Sequence, residues 1–141
     1  MGKNNTTDTV NLGDLGSIDR NDVFGEVERF AQTYGKTSDG LLDNTVAVVA
    51  AKNTLEQLTY NLDLQIRKTA EISGEKVTEK KVEAAIKTTT QWQAAANALH
   101  AAEARVEVYK AALKTLDKKD RMLELLARVQ IRELGTIQRT S

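Results

Sequence analysis

The sequence predicts an all-α fold, a long helical hairpin flanked by a short N-terminal helix and a C-terminal helix. Three observations carry that expectation. The chain of 141 residues contains no proline, where average usage of about 5% would supply roughly seven. Proline inside a helix costs about 3 kcal/mol, so its absence permits long uninterrupted helices. Aromatic residues make up only 4% of the chain, too few for a sandwich or barrel built on aromatic and β-branched pairs. Apolar residues recur every seven positions through most of the chain, the spacing of coiled-coil-like packing.

Composition also narrows function. There is no cysteine and one histidine, His100, which removes disulfides, thiol nucleophiles, cysteine-based zinc sites and multi-histidine centres. No cofactor, no metal site and no catalytic residue is expected. No apolar run reaches the 18 residues of a membrane span, and no charged-then-apolar leader is apparent. No membrane partner is therefore expected, and the lack of cysteine fits the cytoplasm. The 20 basic and 20 acidic residues cancel, yet unevenly. Residues 1–66 hold five basic and ten acidic side chains, and residues 67–141 hold fifteen basic and ten acidic. Such a dipolar chain can offer one end to an anionic polymer.

Residues 1–18 lack apolar periodicity and are expected to form a disordered tail. Met1-Gly2 with Thr6 satisfies the bare myristoylation pattern, a short and common motif. A single helical domain is expected over 19–135. Its first helix, 20–34, is capped by Asp19 or Asp22 and places Phe24, Val27, Phe30, Ala31 and Tyr34 on one face. Gly35 is a natural stop, and Gly35–Gly40 reads as a linker. The Gly-Lys-Thr within it lacks the earlier glycine and the preceding strand of a phosphate loop.

The second helix, 41–72, repeats Leu41, Val48, Leu55 and Leu62 by sevens, with Ala51, Leu58 and Ile72 interleaved, and Ser73-Gly74 ends it. The third, 78–116, starts at the cap Thr78 with Val77 and Val82 placed as a hydrophobic staple. Ala85, Trp92, Leu99, Val106 and Leu113 form one row; Ala102, Tyr109, Leu116 and Leu123 form its companion. Trp92 reads as a core or interface anchor ahead of a base-stacking platform. The apolar pattern lapses at Asp117–Asp120. Either residue could cap a separate fourth helix, 120–134, or the third helix runs through; 136–141 should fray.

At 1.5 Å per residue the third helix is about 58 Å long and the second about 50 Å. Those seams exceed what a compact monomer covers, and folding helix two onto helix three leaves the C-terminal leucines unpartnered. A homo-oligomer is therefore expected, with Leu123, Leu126, Val129 and Leu134 in the contact.

The stretch Lys76-Val77-Thr78-Glu79 after an Arg-Lys pair, the long Ala/Glu helix, and Lys118-Lys119-Asp120-Arg121-Met122-Leu123 resemble small tailed-phage proteins grouped with the UvsY-type recombination mediators. The resemblance covers roughly residues 41–135 and rests on pattern and element order. It implies a ring-like oligomer that binds single-stranded DNA, helps load a RecA-like recombinase and displaces a single-strand-binding protein, in the host cytoplasm if phage-encoded. Its DNA-contacting basic residues map onto Arg67 and Lys68. The overall neutrality of this chain departs from a strongly basic DNA binder. From the residues themselves, Arg67, Lys68, Lys76, Lys80 and Lys81 flank one turn and would converge on phosphates, shared across subunits. The alternative is a non-enzymatic structural adaptor or assembly chaperone of a phage particle.

Overall fold

The computed structural model describes residues 15–140, with side chains placed through 135. The first fourteen residues, including the Met1-Gly2 motif and most of the expected tail, lie outside the described residues. Three helices follow in order: α1, Val23–Ser73; α2, Glu79–Lys87; and α3, Thr90–Thr140. No strand occurs among the described residues, so the fold is all-α. None of the described helices is long and apolar enough to cross a membrane. Helix packing divides the described residues into one unit of residues 15–42 with 107–140 and a second of residues 43–106.

The boundaries differ from the sequence expectation in three places. First, α1 runs without interruption through Gly35–Gly40. The heptad phase explains why: Val23, Phe30, Thr37, Asn44, Ala51 and Leu58 are spaced by seven. The row never breaks; it only turns polar in the middle. Thr37 is buried there, and its hydroxyl donates to the Thr33 carbonyl at 2.8 Å, which removes the cost of an unpaired group. Gly40 is a packing notch, since a Cβ at that position would collide with the Tyr109 ring.

Second, the expected helix 78–116 is broken at Thr88–Thr89. Threonine chemistry makes the junction, with no glycine or proline involved. The hydroxyls of Thr88 and Thr89 donate back to the carbonyls of Ala85 and Ile86, at 2.9 and 2.7 Å. Thr89 Oγ1 also accepts the Trp92 N–H at 3.2 Å, the geometry of an N-cap for α3. Gln93 Nε2 donates to the freed Lys87 carbonyl.

Third, α3 passes through Asp117–Asp120 and Gly135 to Thr140. The separate fourth helix and the frayed end over 136–140 are thus replaced by continuous helix. Lys119 occupies the seam where apolar residues lapse. Its Nζ lies 3.0 Å from Glu26 Oε2, and the two side chains are only 11% and 12% exposed. Glu26 also takes Arg29 at 3.3 Å and the Asp19 N–H at 3.3 Å. The Lys119 hydrogen bond holds the Glu26 carboxyl below its ordinary value, with burial opposing the shift and Asp19 and Arg29 adding to it.

The unit of residues 15–42 and 107–140 is an antiparallel pairing of the two helix ends. Ala112 and Leu116 are fully buried in it, with Val23 and Leu123 nearly so. Leu123 therefore belongs to the intrachain core, which corrects its assignment to an oligomer contact. The reason is the continuity of α1, whose N-terminal segment covers the leucine. Leu126 is half-buried, while Val129 and Leu134 remain exposed. Residues 15–18, expected in the disordered tail, also belong here. Leu15 and Ile18 are half-buried, and Gly16 lies against Thr115. Of the two candidate caps, Asp22 precedes α1 and accepts the Gly25 N–H at 3.2 Å.

The unit of residues 43–106 packs Leu62, Val82 and Ile86 together, with Leu58, Ile66 and Trp92 against them. Ile72, read from the sequence as part of this seam, is 80% exposed. Gly74 ends α1 with φ +74°. The N–H groups of Gly74 and Glu75 return to the carbonyls of Glu71 and Ala70, at 3.3 and 3.0 Å, completing a Schellman motif. Thr78 caps α2 as its spacing predicts, accepting the Lys81 N–H.

Two outcomes test this packing. Gly35 has open space around its missing Cβ, so Gly35→Ala should stabilise by about 1 kcal/mol, the helix-propensity difference. Gly40→Ala should instead lower the melting temperature, because the Tyr109 ring must move. Adding Tyr109→Ala should reverse the sign of the Gly40→Ala effect. Equal gains at both glycines would refute the notch.

The second outcome concerns acid. A carboxyl with a lowered folded pKa contributes stability above its unfolded value, near 4.5. That contribution disappears as pH falls through the folded value. Stability should therefore drop on acidification below about pH 5, and the drop should be shallower in Glu26→Gln. Urea melts across pH measure it; identical slopes for both proteins would exclude Glu26 as a source.

Candidate nucleic-acid interface

The candidate interface is the turn joining α1 to α2, residues 74–78, with the helix ends on either side. The Schellman turn and the Thr78 cap fix where the two helices meet. Between residues 67 and 83 the sequence holds Arg67, Lys68, Lys76, Lys80 and Lys81 beside Glu71, Glu75, Glu79 and Glu83. Charge there is nearly balanced.

Arg67 is the organising side chain. Its Nε donates to Asp63 Oδ1 at 2.7 Å, one turn back on α1. Its Nη2 donates to both carboxylate oxygens of Glu79, at 2.8 and 2.7 Å, on the first residue of α2. These contacts, Glu79 foremost and then Asp63, raise the Arg67 pKa further. The planar fork of arginine suits this bridging geometry, and charge-assisted bonds of this kind are short and directional. Two carboxylates surround one guanidinium, so the group carries net negative charge. Arg67 is a strap between helices, and the phosphate contact expected of it would compete with these two carboxylates.

The other four residues differ from it. Lys68, Lys76, Lys80 and Lys81 are all exposed. Lys68 and Lys81 lie on different surfaces. Arg67 and Glu79 line a cleft of about 620 Å³ whose apolar walls include Leu55, Val82 and Ile86. Lys81 lines a different cleft, of about 530 Å³, with Ile66, Ala70 and Val77. Lys68 sits with Leu64 and Glu71 on a third surface. Adjacent helical residues diverge by about 100°, yet Arg67 lines that third surface beside Lys68 as well as the first cleft.

Trp92 is half-buried against the Leu62–Ile86 cluster. Its indole Nε1 donates to Thr59 Oγ1 at 3.0 Å, and the Thr59 hydroxyl donates in turn to the Leu55 carbonyl at 2.7 Å. An indole whose N–H and one face are committed in this way belongs to the core rather than to a stacking platform. His100 is exposed.

Sequence reasoning missed the Glu26–Lys119 pair and the Arg67–Glu79 strap. The lapse of the heptad pattern at residues 117–120 was the available signal for the first. The second joins residues twelve apart across a turn and left no periodic trace. No family model matches the chain, and no curated protein or solved structure matches it.

If Arg67 is a strap, Arg67→Ala should lower the melting temperature and increase protease access at the α1–α2 turn. Arg67→Lys should restore little, because an ammonium cannot reproduce the fork. Lys68→Ala should leave the melt unchanged. A melt unaffected by Arg67→Ala would return that residue to the pool of free cations.

Proposed function

We propose that the chain is a non-enzymatic helical adaptor that works by presenting apolar helix faces to other helices. One observation carries this reading: more large apolar side chains lie exposed than buried. Fifteen large hydrophobic residues are exposed among the described residues, against eleven buried ones, four of them alanine. Scattered exposed leucines are ordinary, whereas aligned ones mark contact surfaces. On α3, Met122, Leu125 and Val129 follow three- and four-residue steps and share a face turned away from the Leu116–Leu123 seam. Assembly with itself and with partner helices would cover such faces.

A second reading keeps the single-stranded-DNA-binding mediator that acts with a RecA-like recombinase and a single-strand-binding protein. The exposed Lys68, Lys76, Lys80 and Lys81 favour it. The interleaved glutamates and the committed Arg67 weigh against it, since affinity for a polyanion grows with the number of phosphates neutralised.

A titration of fluorescent single-stranded DNA separates the two. The adaptor reading expects no salt-sensitive binding at low ionic strength. The mediator reading expects binding that falls steeply as salt rises and loses slope when Lys68, Lys80 and Lys81 become alanine. Binding with that signature would displace the adaptor reading.

A further inference from the structure

The outward face of α1 in the 43–106 unit carries a second apolar stripe. Val46, Val49, Tyr60 and Leu64 are each at least 50% exposed. Asn53 and Gln57 are exposed on the same face. Leu62, in the buried core, lies nine residues from Asn53, a half-turn away at about 100° per residue. The stripe thus lies largely opposite Leu62, with Tyr60 at its edge beside the cleft walled by Val82 and Ile86 of α2.

Its spacing is symmetric. Val49 and Gln57 lie four residues either side of Asn53, and Val46 and Tyr60 lie seven residues either side. Three- and four-residue steps keep all five positions on one face. A helix that meets an antiparallel copy of itself needs this kind of pattern. In an isologous two-fold contact, a position before the axis faces its mirror position after it.

We infer that a second copy of this chain docks antiparallel on this stripe, with the two-fold axis passing beside Asn53. Val46 of each copy then packs on Tyr60 of the other, and Val49 packs on Gln57. The two Asn53 amides meet at the axis, where each can donate and accept. A single asparagine in an apolar helix seam sets alignment and copy number at some cost in stability. Charge complements the arrangement. Lys52 and Glu56 share one flank of the stripe, and antiparallel docking sets Lys52 of one copy within about 3 Å, along the axis, of Glu56 in the other. Opposed helix dipoles favour the same direction. The inference rests on the adaptor reading only for the premise that outward apolar faces bind protein.

The chain has no cysteine, so single thiols can be placed at will on this exposed face. Asn53→Cys should crosslink to its own copy in high yield. Val46→Cys alone and Tyr60→Cys alone should not, because identical residues seven from the axis are about 21 Å apart. A mixture of those two variants, treated with a thiol crosslinker shorter than that distance, should link. In light scattering, wild-type protein should weigh at least twice the 15.5 kDa chain. Asn53→Lys, which sets two cations at the axis, should halve that mass while helicity and monomer melting hold.

A monomeric wild-type chain overturns the pairing, as does a larger mass that Asn53→Lys leaves unchanged. Self-linking of Val46→Cys would mean parallel docking and overturn it too. None of these outcomes alters the DNA titration, so failure of the pairing is distinguishable from failure of the adaptor reading.

Discussion

The unbroken heptad phase of α1 is the constraint from which the other features follow. Val23, Phe30, Thr37, Asn44, Ala51 and Leu58 stay in step although the middle of the row is polar. Helix continuity there comes from the absence of proline and from polar groups that find partners, such as the Thr37 hydroxyl on the Thr33 carbonyl. Because α1 does not turn back at Gly35, its first segment is available to cover Ala112, Leu116 and Leu123. The C-terminal leucines expected to await another subunit are in part satisfied within the chain.

The all-α class, the Gly74 stop and the Thr78 cap were legible because each rests on local chemistry. A left-handed glycine and a threonine before a helix leave traces within four residues. The Trp92 anchor was legible from its row. The helix breaks were not. Glycine at 35 and 40 reads as punctuation in sequence, but Gly40 is a steric accommodation to Tyr109, sixty-nine positions later. The Thr88–Thr89 junction carries neither glycine nor proline, and its cause is hydroxyl back-bonding that periodicity cannot register.

The candidate site was legible only as a list. Five basic residues near one turn suggested convergence, and their proximity in sequence is real. What they do depends on which carboxylates lie within reach, and that is a matter of three-dimensional position. Asp63 and Glu79 take Arg67 out of the cationic count and convert it into a fastener. The lysines, with no such geometry, remain solvated. The same substitution of meaning applies to Lys119, one of two adjacent lysines in sequence and half of a covered ion pair in the fold.

Heptad seams carry a known ambiguity: sliding one helix by seven residues returns apolar rows to apolar rows at nearly the same energy. The end-to-end pairing of α1 with α3 escapes this degeneracy through two contacts that do not repeat. Moving α1 by one heptad would bring Thr33 or Ala47 where Gly40 now receives the Tyr109 ring, and Asp19 or Thr33 where Glu26 meets Lys119. Either shift forces a side chain into the ring, and one of them leaves a covered ammonium without a carboxylate, which is costly. Glycine and glutamate thus act as a two-tooth key, selecting one alignment from a ladder that leucine and alanine alone would leave open.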